Sequence, residues 1–466
     1  MALVHKAEVH GGVEPMQSGG EQPYTQRMAH LIAAGSITPA KVDTRRRLEK
    51  EPLDLHALYT LGYLYCAQGN LLSGLNSWQD LVELLQDREQ LVLLQPDQLM
   101  FLQAFCGQLL QVCGQVNHLV TLQSNPDLHH ALCNMGYRTA RTSMNLRNAL
   151  GSVVERDDPE VRFMERLKPY RDSRGRSRFH FRPSSPPALK VEPTNQGMGT
   201  LSQLGEMTRA QGILALETFE QALTTWNGAS HQMTLPYLPH PEVDQRVILS
   251  GALNLHAVGE PLLHPHLDQL IAMGRARGAQ VHLRTNAILL ADTTVRQKLL
   301  RNPPDTLQIS PEGTCAQEVD AIHGEGSWTR MLQGLTLLHQ ERAALPDDHT
   351  MTITLVLDPH HEAGSPQLTE VMAPLVDRME PAALVHDSPT PKCREPFYQL
   401  NLLWDGTLIP CSKDINARMP LGNVHQQGVD MIWNGLSATD HAEDLLLNRL
   451  ESHTQCNSCG GDSCLC

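Results

Sequence analysis

Six of the eleven cysteines lie between Cys393 and the last residue, Cys466. Cys393 is followed after twelve residues by Gly406 and after four more by Cys411, while Cys456 and Cys459 form a CxxC with Cys464 and Cys466 just beyond. Thiolates are soft, charged donors, and two separated cysteines plus a CxxC supply the four ligands that a zinc ion or an iron–sulfur cluster takes. The spacing leaves both metals open. Cys393, Cys411, Cys456 and Cys459 are the expected ligands, with Cys464 and Cys466 either replacing one of them or remaining free. A second group with chemical capacity is Gly259, Glu260 and Pro261, because a carboxylate and exposed carbonyls at a strand end suit an ammonium. The competing role for Glu260 is to cap the helix that follows. His256, His264 and His282 stand singly in strand or loop contexts, where a hydrogen-bonded structural histidine is the commoner outcome.

The elements that must position these residues follow from periodicity. Trp404-Asp405-Gly406-Thr407 reads as a hairpin turn and Ile409-Pro410-Cys411 as the returning strand. Upstream, strands are expected near Ala188–Thr194, Ala252–Val258, Gln280–Asn286, Thr306–Glu312, Thr350–Asp358 and Ala383–His386, separated by amphipathic patterns such as HLDQLIAMGRARG. Strands alternating with helices predict an α/β fold with a parallel sheet, here an open or partial (β/α)6 barrel whose site lies at the C-terminal strand ends.

The C-terminal phrases, C-x12-G-x4-C followed by Leu421-Gly422-Asn423-Val424, Ile432-Trp433-Asn434 and the CxxC, occur in the order seen in the SPASM domain. That domain is the auxiliary iron–sulfur module of many radical S-adenosylmethionine (radical SAM) enzymes, and the resemblance implies one auxiliary 4Fe–4S cluster, the ligands being too few for two. Val258 to Pro265 resembles the family's GGE-type motif, which holds the amino group of S-adenosylmethionine. Thr285-Asn286-Ala287 resembles its TNG phrase with alanine for glycine, and Ser310-Pro311-Glu312-Gly313 its ISxxG phrase, where the serine reaches the ribose. The likeness extends over residues 188–466, about three-fifths of the chain. It implies Gly259, Glu260, Pro261, Thr285, Asn286 and Ser310 as cofactor-binding residues.

One element departs from the family. There the loop after the first strand carries CxxxCxxC, whose thiolates bind three irons of the radical-generating cluster; here the three positions are Gly197, Leu201 and Leu204. Glycine and leucine offer no side-chain lone pair, and Met198 is only a weak thioether. Two functions are therefore expected from different classes. The first is a non-radical homologue that binds S-adenosylmethionine without cleaving it and serves as a binding, scaffold or electron-relay protein. The second is an active enzyme that abstracts a hydrogen atom from a peptide or small metabolite.

The remaining chain reads as residues 1–40, a flexible leader; 41–150, a helical domain; 151–187, a basic, Pro-rich linker; 188–388, the barrel; and 389–466, the SPASM-type domain. Leu58, Leu61, Gly62, Tyr65, Gly69, Gly74, Trp78 and Leu81 fall where a tetratricopeptide repeat places packing residues. The resemblance implies a groove for a peptide or protein partner, with a plain helical bundle as the alternative. Cys66, Cys106 and Cys113 are expected in the core. A formal charge of −14 argues against nucleic acid, and the absence of a signal-like segment or long apolar run argues against a membrane. The clustered cysteines fit a reducing cytoplasm.

Overall fold

The sheet that carries the strand-end motifs is built from short runs in which every second residue is apolar. In the computed structural model, which describes residues 23–116, 126–171, 175–197, 207–343, 351–357, 366–381, 393, 395–451 and 453–459, thirteen strands are described. They are β1 (Leu167–Arg171), β2 (Ser177–Phe181), β3 (Ala188–Val191), β4 (Ser230–Tyr237), β5 (His240–Ser250), β6 (Ala252–Leu255), β7 (Gln280–Thr285), β8 (Thr306–Ile309), β9 (Thr352–Leu357), β10 (Arg378–Pro381), β11 (Gln399–Leu402), β12 (Thr407–Ile409) and β13 (Gly422–Asn423). Nine of them form one mixed sheet in the order β10-β9-β8-β7-β6-β3-β11-β12-β13. From β10 to β11 every neighbouring pair is parallel, and β12 and β13 add antiparallel strands.

One face of this sheet is apolar throughout. Leu189, Val191, Leu253, Leu255, Val281, Leu283, Leu307, Ile309, Ile353 and Leu355 alternate along their strands and join a buried core with helices such as Leu267–Ala276 and Ser327–Arg342. The mixed α/β fold with a parallel-rich sheet agrees with the sequence reading. A strand is described at Arg378–Pro381; the sixth expected strand, Ala383–His386, falls outside the described residues.

The chain divides into two compact units. The sheet belongs to the second, which comprises Arg171–Arg176, Ser184–Ser230 and the residues from Ser250 onward. The first contains the described residues up to Tyr170, together with Ser177–Pro183 and His231–Leu249. Its centre is the helix Leu55–Ala67 packed on Leu71–Ser77. A methyl group at Gly62 would overlap the buried Trp78 indole, whose Nε1 donates to the Tyr59 carbonyl at 2.8 Å. Cys66, Cys106 and Cys113 are buried, and burial pushes the Cys106 thiol up to about 12.

Three expectations change here. The leader was expected to run to residue 40, but helices Tyr24–Ala33 and Ile37–Lys50 bury Met28, Ile32 and Ala40 in the first unit's core. The expected linker contains helix Pro159–Arg166 and the two-stranded sheet β1-β2. Arginine-rich composition concealed its aromatic positions: the Phe181 ring stacks on Phe163 at 5.0 Å and the Phe179 ring on Tyr137 at 4.7 Å. Within the stretch expected to be barrel, β4 and β5 form a separate pair whose Met233, Leu235, Tyr237, Val247 and Leu249 join the first unit's core. There Tyr63 Oη donates to the Leu235 carbonyl at 3.0 Å, and Gln108 Nε2 donates to that of Pro236 at 2.8 Å.

Candidate functional site

At the carboxyl ends of β3, β6, β7 and β8 the four motif segments are tied by hydrogen bonds. Glu260 N donates to the Gln196 carbonyl at 2.9 Å. Gly259 sits against the carbonyls of Thr194 and Gln196 so closely that a Cβ would overlap them, which is the physical need for glycine at this position. The Glu260 carboxylate is buried; its Oε1 accepts from Leu262 N at 3.0 Å and Thr285 Oγ1 at 2.7 Å, and its Oε2 from Asn286 N at 3.1 Å. Ser310 N in turn donates to the Thr285 carbonyl at 2.9 Å. Gln196, Glu260, Thr285 and Ser310 thus form one network linking strands that are far apart in sequence.

Glu260 also caps the short helix Pro261–Leu263, the competing role expected for it. Burial raises its pKa to about 7, against the opposing effect of its three donors, and the Glu312 carboxylate adds to the rise. A carboxylate can accept about four hydrogen bonds, so capacity for one further donor remains. Ala287, standing where the motif has glycine, adopts φ 66° and is buried. Glu312 has φ 60° and lies 2.8 Å from His323 Nε2.

The first-strand loop is pinned at both ends. Asn195 Nδ2 donates to the Ala210 carbonyl at 2.9 Å, and its Oδ1 accepts from Gly212 N at 2.8 Å. Buried Glu192 receives Arg209 through two bonds, 2.7 and 3.1 Å, and the Trp404 N–H at 3.2 Å. Gly197 is half-buried and brings no donor atom, whereas Leu201 and Leu204 lie outside the described residues. Nothing described at this loop fits an iron–sulfur cluster.

The opposite face of the sheet from the apolar core is polar. Register places Asn401, Lys190, Asn254 and His282 in one row across β11, β3, β6 and β7. Arg284, Gln308 and Thr354 form the next row across β7, β8 and β9. His256 and His282 were each expected to stand alone, yet His282 is one of the groups that act on His256. Burial pushes the His256 pKa well below its usual value, and Lys190, Arg284 and His282 push it further. His264 is structural as expected, paired with the Leu214 carbonyl at 2.9 Å. The signal that finds Lys190 and Arg284 is the alternation of charged and apolar residues within strands otherwise as apolar as a buried sheet requires.

In the C-terminal segment, β11 and β12 pair as the expected hairpin, with Gly406 at φ 86° in the turn. Cys411 is buried just beyond β12, and Cys393 lies half-buried before the turn of helix Glu395–Tyr398. Cys456 and Cys459 sit on and just after helix Thr454–Ser458. Contacts bring the CxxC beside the Cys411 segment: Gln455 Nε2 donates to the Lys413 carbonyl at 2.8 Å, and Lys413 Nζ lies 3.7 Å from Cys459 Sγ. His453, just before that helix, pairs with Asp444 at 3.0 Å and His441 at 3.4 Å. Burial, Cys459 and Asp414 push the Cys456 thiol up to about 11. Among the described residues no three His, Cys, Asp or Glu side chains converge as a metal-ligand set, and Cys464 and Cys466 lie outside them. The donor chemistry nevertheless fits an iron–sulfur cluster, since cysteine sulfurs dominate it and Lys413 stands beside Cys459.

Residues 393–460 match the family model SPASM, described as an iron-sulfur cluster-binding domain. No curated protein matches the sequence. Among solved structures, BtrN in complex with AdoMet and 2-DOIA is 17% identical with a TM-score of 0.37, covering 58% of this chain and 92% of that one. Streptococcus suis SuiB bound to S-adenosylmethionine is 11% identical with a TM-score of 0.40, covering 69% and 76%. Native anSMEcpe with bound AdoMet and Kp18Cys peptide is 11% identical with a TM-score of 0.38, covering 58% and 86%. Among the described residues no helix is long and apolar enough to cross a membrane.

Proposed function

We propose that this chain, whose residues 393–460 are a SPASM iron–sulfur cluster-binding domain, is a radical SAM-type protein that has kept the cofactor-binding strand ends and lost the radical-generating cluster. The observation that carries the reading is the retained network of Gln196, Glu260, Thr285 and Ser310 beside a loop whose three cluster positions are Gly197, Leu201 and Leu204. Gly259, Pro261 and Asn286 complete the adenosyl-ligand site, and the ligand is bound without cleavage. Reductive cleavage needs an electron from an iron bound to the cofactor, and this loop offers no thiolate for that iron. The role is binding, scaffolding or electron relay, with a peptide or protein partner engaged by the N-terminal helices.

Cys393, Cys411, Cys456 and Cys459 would hold one 4Fe–4S cluster, whose chemistry is one-electron transfer. Gln455 and Lys413 hold the CxxC beside the Cys411 segment, and Asp444 pairs with His453 just before its helix. Anaerobic purification with metal and sulfide counting tests this assignment. We expect about four irons per chain, lost when Cys456 and Cys459 are changed to serine. Zinc without visible colour would reduce the cage to a structural staple. Incubation with reductant and S-adenosylmethionine should yield no 5′-deoxyadenosine; its appearance would instead establish the active hydrogen-abstracting enzyme.

A further inference from the structure

The segment Cys411–Lys413 is where the cysteine-bearing parts of the C-terminal domain meet. The CxxC reaches it through Gln455 Nε2, which donates to the Lys413 carbonyl, and through Lys413 Nζ beside Cys459 Sγ. Cys393 reaches it through Glu395, two residues further along the chain. Glu395 is 1% exposed. Its Oε1 accepts from Ser412 N at 2.9 Å and its Oε2 from Ser412 Oγ at 3.1 Å, so both oxygens grip the residue that follows Cys411. Oε1 also accepts from Gln399 Nε2 at 2.8 Å, and Gln399 Oε1 in turn accepts from Asn254 Nδ2 at 3.3 Å, which ties the carboxylate to β11 and β6.

An acid in the first turn of the short helix Glu395–Tyr398 needs no special reason. Its burial does, because a carboxylate answered by neutral donors costs more to bury than an apolar side chain of similar size. Among the described residues its bonds go to Gln399 and Ser412 rather than to the amides of its own helix. We propose that Glu395 is a positioning residue for the C-terminal iron–sulfur cluster: its carboxylate clamps the Cys393 segment to the Cys411 segment and sets a negative charge between them. The proposal rests on the reading that these cysteines hold a cluster. Groups that fix a cluster's ligands, and the net charge around them, govern both its retention and its potential.

Two variants separate the clamp from the charge. Glu395→Gln keeps an oxygen for Ser412 N and Gln399 but removes the charge, whereas Glu395→Leu removes both. Each full-length protein is reconstituted anaerobically beside the parent, with iron and sulfide counted, the potential read by redox titration followed by EPR, and folding checked by circular dichroism melting. We expect the parent's roughly four irons per chain to persist in Glu395→Gln, with the potential displaced upward, and to fall about fourfold or more in Glu395→Leu. A merely structural Glu395 would leave the potential of the fully loaded Glu395→Gln protein unchanged. That result overturns the proposal, as does a Glu395→Leu protein that folds and keeps the parent's iron. If Glu395→Leu does not fold, the potential of Glu395→Gln decides alone. Failure of the underlying reading looks different: the parent itself then lacks iron, and the proposal falls with it.

Discussion

Glu260 shows how one side chain can be asked for two things by the same position. Its carboxylate accepts from Leu262, Thr285 and Asn286, which fixes three strand-end segments, yet burial raises its pKa to about 7. The folded state therefore holds the Glu260 proton more tightly than the unfolded chain, whose carboxyl titrates near the ordinary value of 4.5. The sign follows: this group's contribution to stability is complete below the unfolded value and is lost as pH rises through the folded one. Its full size is about 3 kcal/mol. We expect urea denaturation at about pH 5 and about pH 8 to reveal a fall in stability that the Glu260→Gln variant lacks. Parallel pH profiles for the two proteins would show that Glu260 is ionised throughout. The protein's own donors already occupy most of this carboxylate, so an ammonium brought to it would meet one remaining acceptor site and the nearby backbone.

Among elements, the pair of helices Leu55–Ala67 and Leu71–Ser77 depends on close approach. Gly62 lies under Trp78, Trp78 stacks on Tyr59 at 6.0 Å, and Tyr59 and Tyr63 lie against Tyr237 of β4. Replacing Gly62 with alanine has to displace a fully buried indole, and we expect a loss of about 2 kcal/mol in chemical denaturation. A negligible change would mean that the helices slide apart without cost. The sequence displayed this helix pair through its small residues and tryptophan. It gave no comparable sign that β4 and β5 join the same core, because that pairing spans about 170 residues and no local period records a long-range partner. The β1-β2 pair was hidden differently: its aromatic alternation is carried by a run whose composition is dominated by arginine and serine.

Across the whole molecule, the proposed loss of radical chemistry resides in three positions of one loop, while the network around it persists. We expect the combined substitutions Gly197→Cys, Leu201→Cys and Leu204→Cys to raise the iron content from about four to about eight per chain under anaerobic reconstitution. If the added iron also brings 5′-deoxyadenosine formation, the retained strand ends are competent to present the cofactor. If iron stays at the parent level in a folded protein, the loop has diverged beyond its ligands and the network serves architecture alone.

The sequence by itself determined the alternation of β3, β6, β7, β8 and β9 with helices, the hairpin around Gly406, the cysteine positions and the absence of thiols from the first-strand loop. These are local or compositional properties, written in periodicity, turn residues and spacing. Only the tertiary structure decided that the Glu260 carboxylate is shared among three donors and that Lys190, His256, His282 and Arg284 lie on one face. Their proximity arises from the register between parallel strands, and a shift of one residue would turn each of them into the apolar core. Register is set by the packing of the opposite face, so the chemistry of the polar side depends on the leucines, valines and isoleucines behind it.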